Sequence, residues 1–397
     1  MRIGLNKAIF GCAIAVWLLL TCVSCSAKKD LLGEINETLA SQYHIKIDSK
    51  SDSLVKSSTI FRKSWFLELE TDKDAFIGNI DKLLFDENKI FVLDKDISQA
   101  VFIYNSDGRL IKKIDERGQG PREFLKIRDV TLDKNKKRIC LLDQAGNKIN
   151  FYDYEGEFLE SKPIPFSFSS FDYIDSSIIA FDLQTAYNVN DQIDNHYLVT
   201  ADIEGIIHNK AFPYSNDEKS FSYWSSRHIR RFKDNVFFQP RYRNTIYQVK
   251  KDEVIPWFFL DFQGKEFPNN GKIEGDEHFR DLKQKYSYFS GEYVDLENVA
   301  CFVINTPEEY FYLLYSKNTK RTIPLKPLMV EDFISGFFRA PFERFNDSTI
   351  VTFAHAHQVL LAKNAYFLEE EGLGDDMFPD LTENDNPVLF FYNIYEL

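Results

Sequence analysis

His355-Ala356-His357 puts two imidazoles at alternate positions. In an extended strand alternate residues share a face, so the pair is expected to project together. With a third ligand such a pair would hold Zn²⁺. No third ligand can be picked out of the sequence, and packed or hydrogen-bonded histidines are the competing reading. A second cluster gathers Tyr223, Trp224, Arg227, His228, Arg230 and Arg231, with Arg241, Tyr242 and Arg243 one strand-to-strand loop later. The chain carries 61 acidic against 48 basic residues, a net charge of −13, so this concentration of arginine stands out. If both stretches meet at one end of a sheet, aromatic faces and guanidinium forks would clasp an acidic or sugar ligand. The alternative is a set of ion pairs with the surplus carboxylates.

Other chemical motifs fail on inspection. Asp380-Leu381-Thr382-Glu383-Asn384-Asp385 offers oxygen ligands for Ca²⁺ but lacks the glycine of a calcium loop, and a solvated loop is expected. Gly118-Gln119-Gly120-Pro121-Arg122-Glu123-Phe124 has the residues of a turn but not the Lys-Ser/Thr of a phosphate-binding loop. There is no Gly-x-Ser-x-Gly and no Cys/His pairing, so no catalytic residue is assigned. No cofactor is expected, the His355/His357 metal being the one exception weighed. So acidic a chain repels phosphate backbones, which excludes nucleic acid as a partner.

The N-terminus reads as an address. Arg2 and Lys7 precede an apolar run from Ala8 to Leu20, too short to span a membrane comfortably, followed by Thr21-Cys22-Val23-Ser24-Cys25-Ser26. A small residue before Cys at the end of such a run resembles the bacterial lipobox, in which the Cys is acylated and becomes the new N-terminus. Ser24 before Cys25 fits that pattern; Cys22 stands where it usually has Leu. Residues 1–25 are therefore expected to be a signal peptide with lipidation at Cys25, residues 26–60 a polar tether, and residues 61–397 the fold. Leu31, Ile35 and Leu39 have the spacing of a short helix within the tether. The expected location is the cell envelope, lipid-anchored at the outer membrane.

Composition and repeats set the elements that position these residues. Apolar residues make up 44% and charged residues 27%, a globular balance, and 37 Phe with 20 Tyr favour strands. Lys89-Ile90-Phe91-Val92-Leu93-Asp94 matches Arg138-Ile139-Cys140-Leu141-Leu142-Asp143 at an offset of 49. Strands running into acidic-Gly turns end at Gly108, Gly156 and Gly205. Each unit yields about four strands, the pattern of a propeller blade. Later units are visible at 235–260, 299–325 and 349–395, broken by insertions at 263–292 and 369–387, with one helix expected around Phe279, Leu282 and Tyr286. The sixth unit is one strand short, and Trp65 to Glu70 can supply it. The fold expected is all-β: a six-bladed β-propeller of four-stranded antiparallel blades, closed by pairing of the N- and C-terminal strands. Cys140 and Cys301 fall in units two and five, on opposite sides of such a ring. That is beyond disulfide reach, so both are expected buried and unpaired.

Three segments carry a family resemblance: Gly118–Phe124, Asn244-Thr245-Ile246-Tyr247 and Asn386-Pro387-Val388-Leu389. They resemble the six-bladed propeller lipoproteins of Bacteroidetes, relatives of NHL-repeat propellers, with Arg122 replacing a glycine. The resemblance implies architecture and an envelope location rather than chemistry. The function expected is a non-enzymatic binding module for a peptide, glycan or protein partner. The alternative, drawn from NHL-type enzymes, is a metal-dependent lyase or hydrolase acting at the central channel.

Overall fold

The computed structural model describes residues 40–48, 55–183, 193, 195–214, 227–268, 273–326, 328–340, 342–369 and 377–395. Six small antiparallel sheets form a ring. Blade one is Lys82–Asp86, Lys89–Asp94, Ala100–Asn105 and Leu110–Ile114; blade two is Ile127–Asp133, Arg138–Asp143, Lys148–Asp153 and Phe158–Pro163. Blade three is Ser170–Tyr173, Ile179–Asp182, His196–Ala201 and Ile207–Pro213; blade four is Ile229–Phe232, Asn235–Phe238, Thr245–Val249 and Val254–Asp261. Blade five is Tyr288–Asp295, Val299–Asn305, Tyr310–Ser316 and Thr322–Leu325. Blade six is Glu343–Asn346, Thr349–Ala354 and Val388–Ile394, completed by Phe61–Glu68. That last pairing sets Trp65 against Phe391 and Leu67 against Leu389, so the two ends of the fold close the ring as expected.

The first strand of each blade is innermost, and these strands meet around a central channel. Hydrophobic clusters fill the gaps between successive blades, because alternation sends the two faces of each sheet to different neighbours. The turns between first and second strands lie on one face of the ring, the turn face. The loops between second and third strands, and the blade-to-blade connections, lie on the other, the loop face.

The repeated Asp has a structural duty. Asp94 is fully buried and accepts hydrogen bonds from the backbone of Gly78, Asn79 and Ile97 and from Ser98 Oγ at 2.7–3.1 Å. Asp143 does the same for Leu125, Lys126 and Gly146, and Asp182 for the hydroxyls of Ser169 and Ser170. Each carboxylate ties the end of a second strand to the connection entering its own blade. The acidic-Gly turns are equally local: Asn105, Asp153 and Asp202 each cap two backbone N–H groups, and the glycines have φ of +77°, +85° and +78°. Gly118–Phe124 is structural too. The Glu123 carboxylate accepts from Gly120 N and fills the space a Cβ on Gly118 would need, while Phe124 is buried between blades one and two.

Three expectations need correction. Tyr43–Lys46, inside the stretch assigned to the tether, is a strand that pairs in parallel with the outer strand of blade four and gives that blade a fifth member. Val55–Lys56 then pairs with Leu328–Met329, and Ser57 and Ser58 bond to Glu331, so the stretch crosses from blade four to blade six. The first strand of blade five begins at Tyr288, inside the region read as an insertion; the expected helix is there as α1 (Asp276–Lys283). His355 and His357 do not share a strand face. The strand ends at Ala354 and α2 (Ala356–Glu369) starts between them. Residues 1–25, Cys25 included, and the 31–39 helix lie outside the described residues. Cys140 and Cys301 are free and buried in blades two and five.

Candidate functional site

The six innermost strands are rich in charge, and their side chains converge on a cavity of about 610 Å³. A polar group beside a channel must find a partner or water, and here the partners come from neighbouring blades. Lys82 of blade one bonds Asp129 of blade two at 2.8 Å. Asp129 also accepts from Phe171 N of blade three. Asp172 of blade three holds Arg231 of blade four at 2.6 Å. Arg230 reaches Glu292 of blade five at 3.1 Å and lies over the Tyr293 ring. Arg227 crosses to Glu343 of blade six. The result is an ionic girdle linking all six blades.

Exposure divides the cavity. Arg227 and Lys82 have side chains 9% and 17% exposed and form its floor, with Asp129, 8% exposed, paired behind Lys82. Lys134, Lys233 and Asp347, on the turns at the opposite end, are 48%, 41% and 59% exposed. Among the described residues the channel is thus a funnel, open on the turn face and lined toward the loop face by buried, paired charges. Burial works against the charge on Arg227, but the carboxylates of Glu343 and Glu292 outweigh it and raise its pKa. For Arg231, burial is likewise outweighed by Asp172. Asp295, on the inner strand of blade five, behaves oppositely. Burial pushes its carboxyl up to about 6, while Lys317 at 2.6 Å and Trp257 Nε1 at 3.2 Å pull it down.

The predicted arginine cluster divides in two. Arg227, Arg230 and Arg231 line the funnel, Arg230 turned toward blade five and Arg231 toward blade three, as alternation on a strand requires. His228 is buried, with Nδ1 2.8 Å from the Gln239 carbonyl, so it does share an end with the 239–244 loop. That loop faces away from the funnel. Arg241 lies over Tyr197 of blade three, and Tyr242, at φ +46°, packs on Phe267, Phe279 and Tyr288. Arg243 donates its backbone N–H to Pro240 O. Tyr223 and Trp224 lie outside the described residues. The histidine rings stack at 5.7 Å on the loop face, and burial together with His357 and Arg339 lowers the His355 pKa. Among the described residues no group of three His, Cys, Asp or Glu is placed to hold a metal ion. The acid partners Asp172, Glu292 and Glu343 were missed from sequence. The available signal was a charged residue in the first strand of every unit.

No curated protein matches the chain. Among solved structures, a Bacteroides fragilis protein described as exported is 21% identical, with a TM-score of 0.72, covering 89% of this chain and 99% of its own. A DUF4221-family member from Bacteroides vulgatus is 11% identical, with a TM-score of 0.49 over 85% and 97% of the two chains. Virginiamycin B lyase from Staphylococcus aureus is 12% identical, at 0.41 over 83% and 99%. The first of these supports the six-bladed ring, and the other two are too distant to bear on the chemistry. No helix among the described residues is long and apolar enough to cross a membrane. The profile of the Domain of unknown function (DUF4934) family matches residues 42–393, and the chain belongs to that family.

Proposed function

We propose that this chain is an exported, lipid-anchored propeller that binds a peptide, glycan or protein partner at the open end of its funnel and performs no chemistry there. One observation carries the reading. The funnel presents arginines and aromatics at a mouth on one face, while the charges deeper in it are paired between blades. Such a surface recognises shape and charge without needing an activated group. Its thiols do not serve as nucleophiles: burial pushes Cys140 up to about 12 and Cys301 higher still. Export and anchoring rest on the charged, apolar and small-residue zones ending at Cys25. The fold shared with an exported Bacteroides fragilis protein supports the export half. Kinship with NHL-repeat propellers belongs to the same proposal and rests on the three segments that resemble them.

Two experiments test it. Cys25→Ala expressed in a Bacteroides host should move the protein from the membrane to the soluble fraction; retention on the membrane contradicts the anchor. For binding, the full chain is displayed against peptide and glycan arrays beside Lys233→Ala and Arg344→Ala, which alter the mouth and spare the floor. Hits weakened by about tenfold or more in either variant support the reading. Hits unaffected by both, or release of product from an arrayed ligand, contradict it.

A further inference from the structure

Beside the funnel, across the seam where the ring closes, lies a second cavity of about 590 Å³. Four rings form its apolar side. Trp65 stacks on Phe391 with centroids 5.1 Å apart and planes 5° from parallel. Phe345 stands edge-on to Phe391 at 5.0 Å and to Phe85 at 5.1 Å. Phe345 is 38% exposed, and Trp65 and Phe85 are half-buried. Three of these rings, Trp65, Phe85 and Phe345, stay partly open to solvent, although closing the ring requires only buried faces. The opposite side is polar and comes from two turns of blade one. Asn88 belongs to the first, Ser106 and Asp107 to the second, while Asp86 and Lys89 beside Asn88 are turned to blade two, where they bond Tyr154 and Glu155. Both turns are rigid: Glu87 and Asn88 sit at φ of +44° and +60°, and Asn105 Oδ1 caps the second.

Resting on the binding-module reading, we infer that this recess is a saccharide site, a subsite adjoining the funnel through Phe85 and Phe345, which line both cavities. The chemistry of the lining selects the class. A pyranose has an apolar face of C–H groups and an edge of hydroxyls that both donate and accept. The rings match the first, and the Asn88 amide, the Ser106 hydroxyl and the Asp107 carboxylate match the second. An all-apolar guest would strip water from those polar groups and give nothing back. An anion would meet the Asp107 carboxylate, and a cation, though it would use the rings, would leave the donors of Asn88 and Ser106 without acceptors. The cavity lies within the roughly 300–1,000 Å³ of small-molecule sites, which suits a short oligosaccharide.

The test titrates the full chain with maltotriose, cellotriose and chitotriose, reading tryptophan fluorescence and heat. At least one should bind at millimolar concentration or tighter. Phe345→Ser, a substitution at an exposed position, should weaken it by about tenfold or more, and Asp107→Ala should also weaken it. Trp65→Phe should remove the fluorescence change while the heat remains. Because Trp65 lies on the closing strand, Phe345→Ser and Asp107→Ala decide the matter if Trp65 variants fold poorly. Binding to none of the three sugars, or equal binding by Phe345→Ser and the parent, overturns the inference. Array hits lost in Arg344→Ala but kept in Phe345→Ser would leave the funnel reading standing and this one fallen. The reverse pattern would retain the recess and remove the funnel.

Discussion

Blades one to three and blades four to six are held together differently. In the first half every second strand ends in a buried Asp that clasps the connection into its blade: Asp94, Asp143 and Asp182. Among the described residues of the second half, no Asp at the end of a second strand does this. Blade four has Gln239 in its place, whose side chain donates within its own loop to Pro240 O and Arg243 O while its main chain pairs with His228, and blade six has His355 at the start of a helix. What replaces the clasp is the N-terminal segment. Tyr43–Lys46 extends blade four, Ile45 and Ile47 join the cluster between blades four and five, and Val55 to Ile60 reach blade six. The half that departs from the repeat also supplies Arg227, Arg230, Arg231, Glu292, Glu343 and Arg344 to the funnel. A regular half acts as scaffold, and an irregular half, braced by the chain's own beginning, carries the charged site.

The largest effect should come from opening the ring. Removing residues 388–397 deletes the strand that joins blade six to Phe61–Glu68 and exposes two sheet edges. Loss of cooperative unfolding in a thermal melt is expected, and a melting curve within a few degrees of the parent would contradict closure. Next comes the clasp comparison. Asp143→Ala removes a buried carboxylate that holds three backbone N–H groups and should cost about 3 kcal/mol, whereas Gln239→Ala should cost about 1 kcal/mol, measured by urea unfolding. Equal costs would erase the distinction between the halves.

What the sequence made legible follows from range. The Asp-terminated runs and acidic-Gly turns are local signals, so blades one to three could be counted directly. Ring closure was legible because a missing strand and a spare one matched. The parallel strand at 43–46 was not, since four residues in a polar stretch pair with a partner more than two hundred residues away. His355-Ala356-His357 misled because a two-residue alternation fits a strand as well as a strand-helix junction. Helix α2 scatters its polar residues, among them His357, Gln358, Lys363 and Asn364, between its apolar ones, so it shows no one-sided stripe. The girdle was half legible: its arginines stood out in an acidic chain, but each acid partner sits in another blade.

A smaller effect concerns the buried pair that lies under the brace. Lys317 bonds Asp295 and sits against the rings of Tyr43, Phe232 and Phe258. Lys317→Met leaves the Asp295 carboxylate buried without its counter-charge and should lower stability at pH 7, and adding Asp295→Asn to it should recover part of that loss. The pH dependence has a definite sign. Burial sets the folded pKa of Asp295 at about 6, above its ordinary 3.8. The contribution of this group is therefore fully present below about pH 4 and lost as pH rises through 6. The Asp295→Asn variant should lack that slope in urea melts run from pH 4 to 7. Smallest of all, Cys140 and Cys301 should ignore a thiol reagent in the folded protein and both react after denaturation without reductant. A Cys140–Cys301 disulfide would contradict the blade order.

The brace is tested most directly by native-state hydrogen exchange on the parent and on Ile45→Asp, which puts a charge into the core between blades four and five. Faster exchange in residues 229–261 and 288–325, with residues 82–163 unchanged, is the predicted result. A uniform acceleration around the ring, or no change in blades four and five, would contradict it.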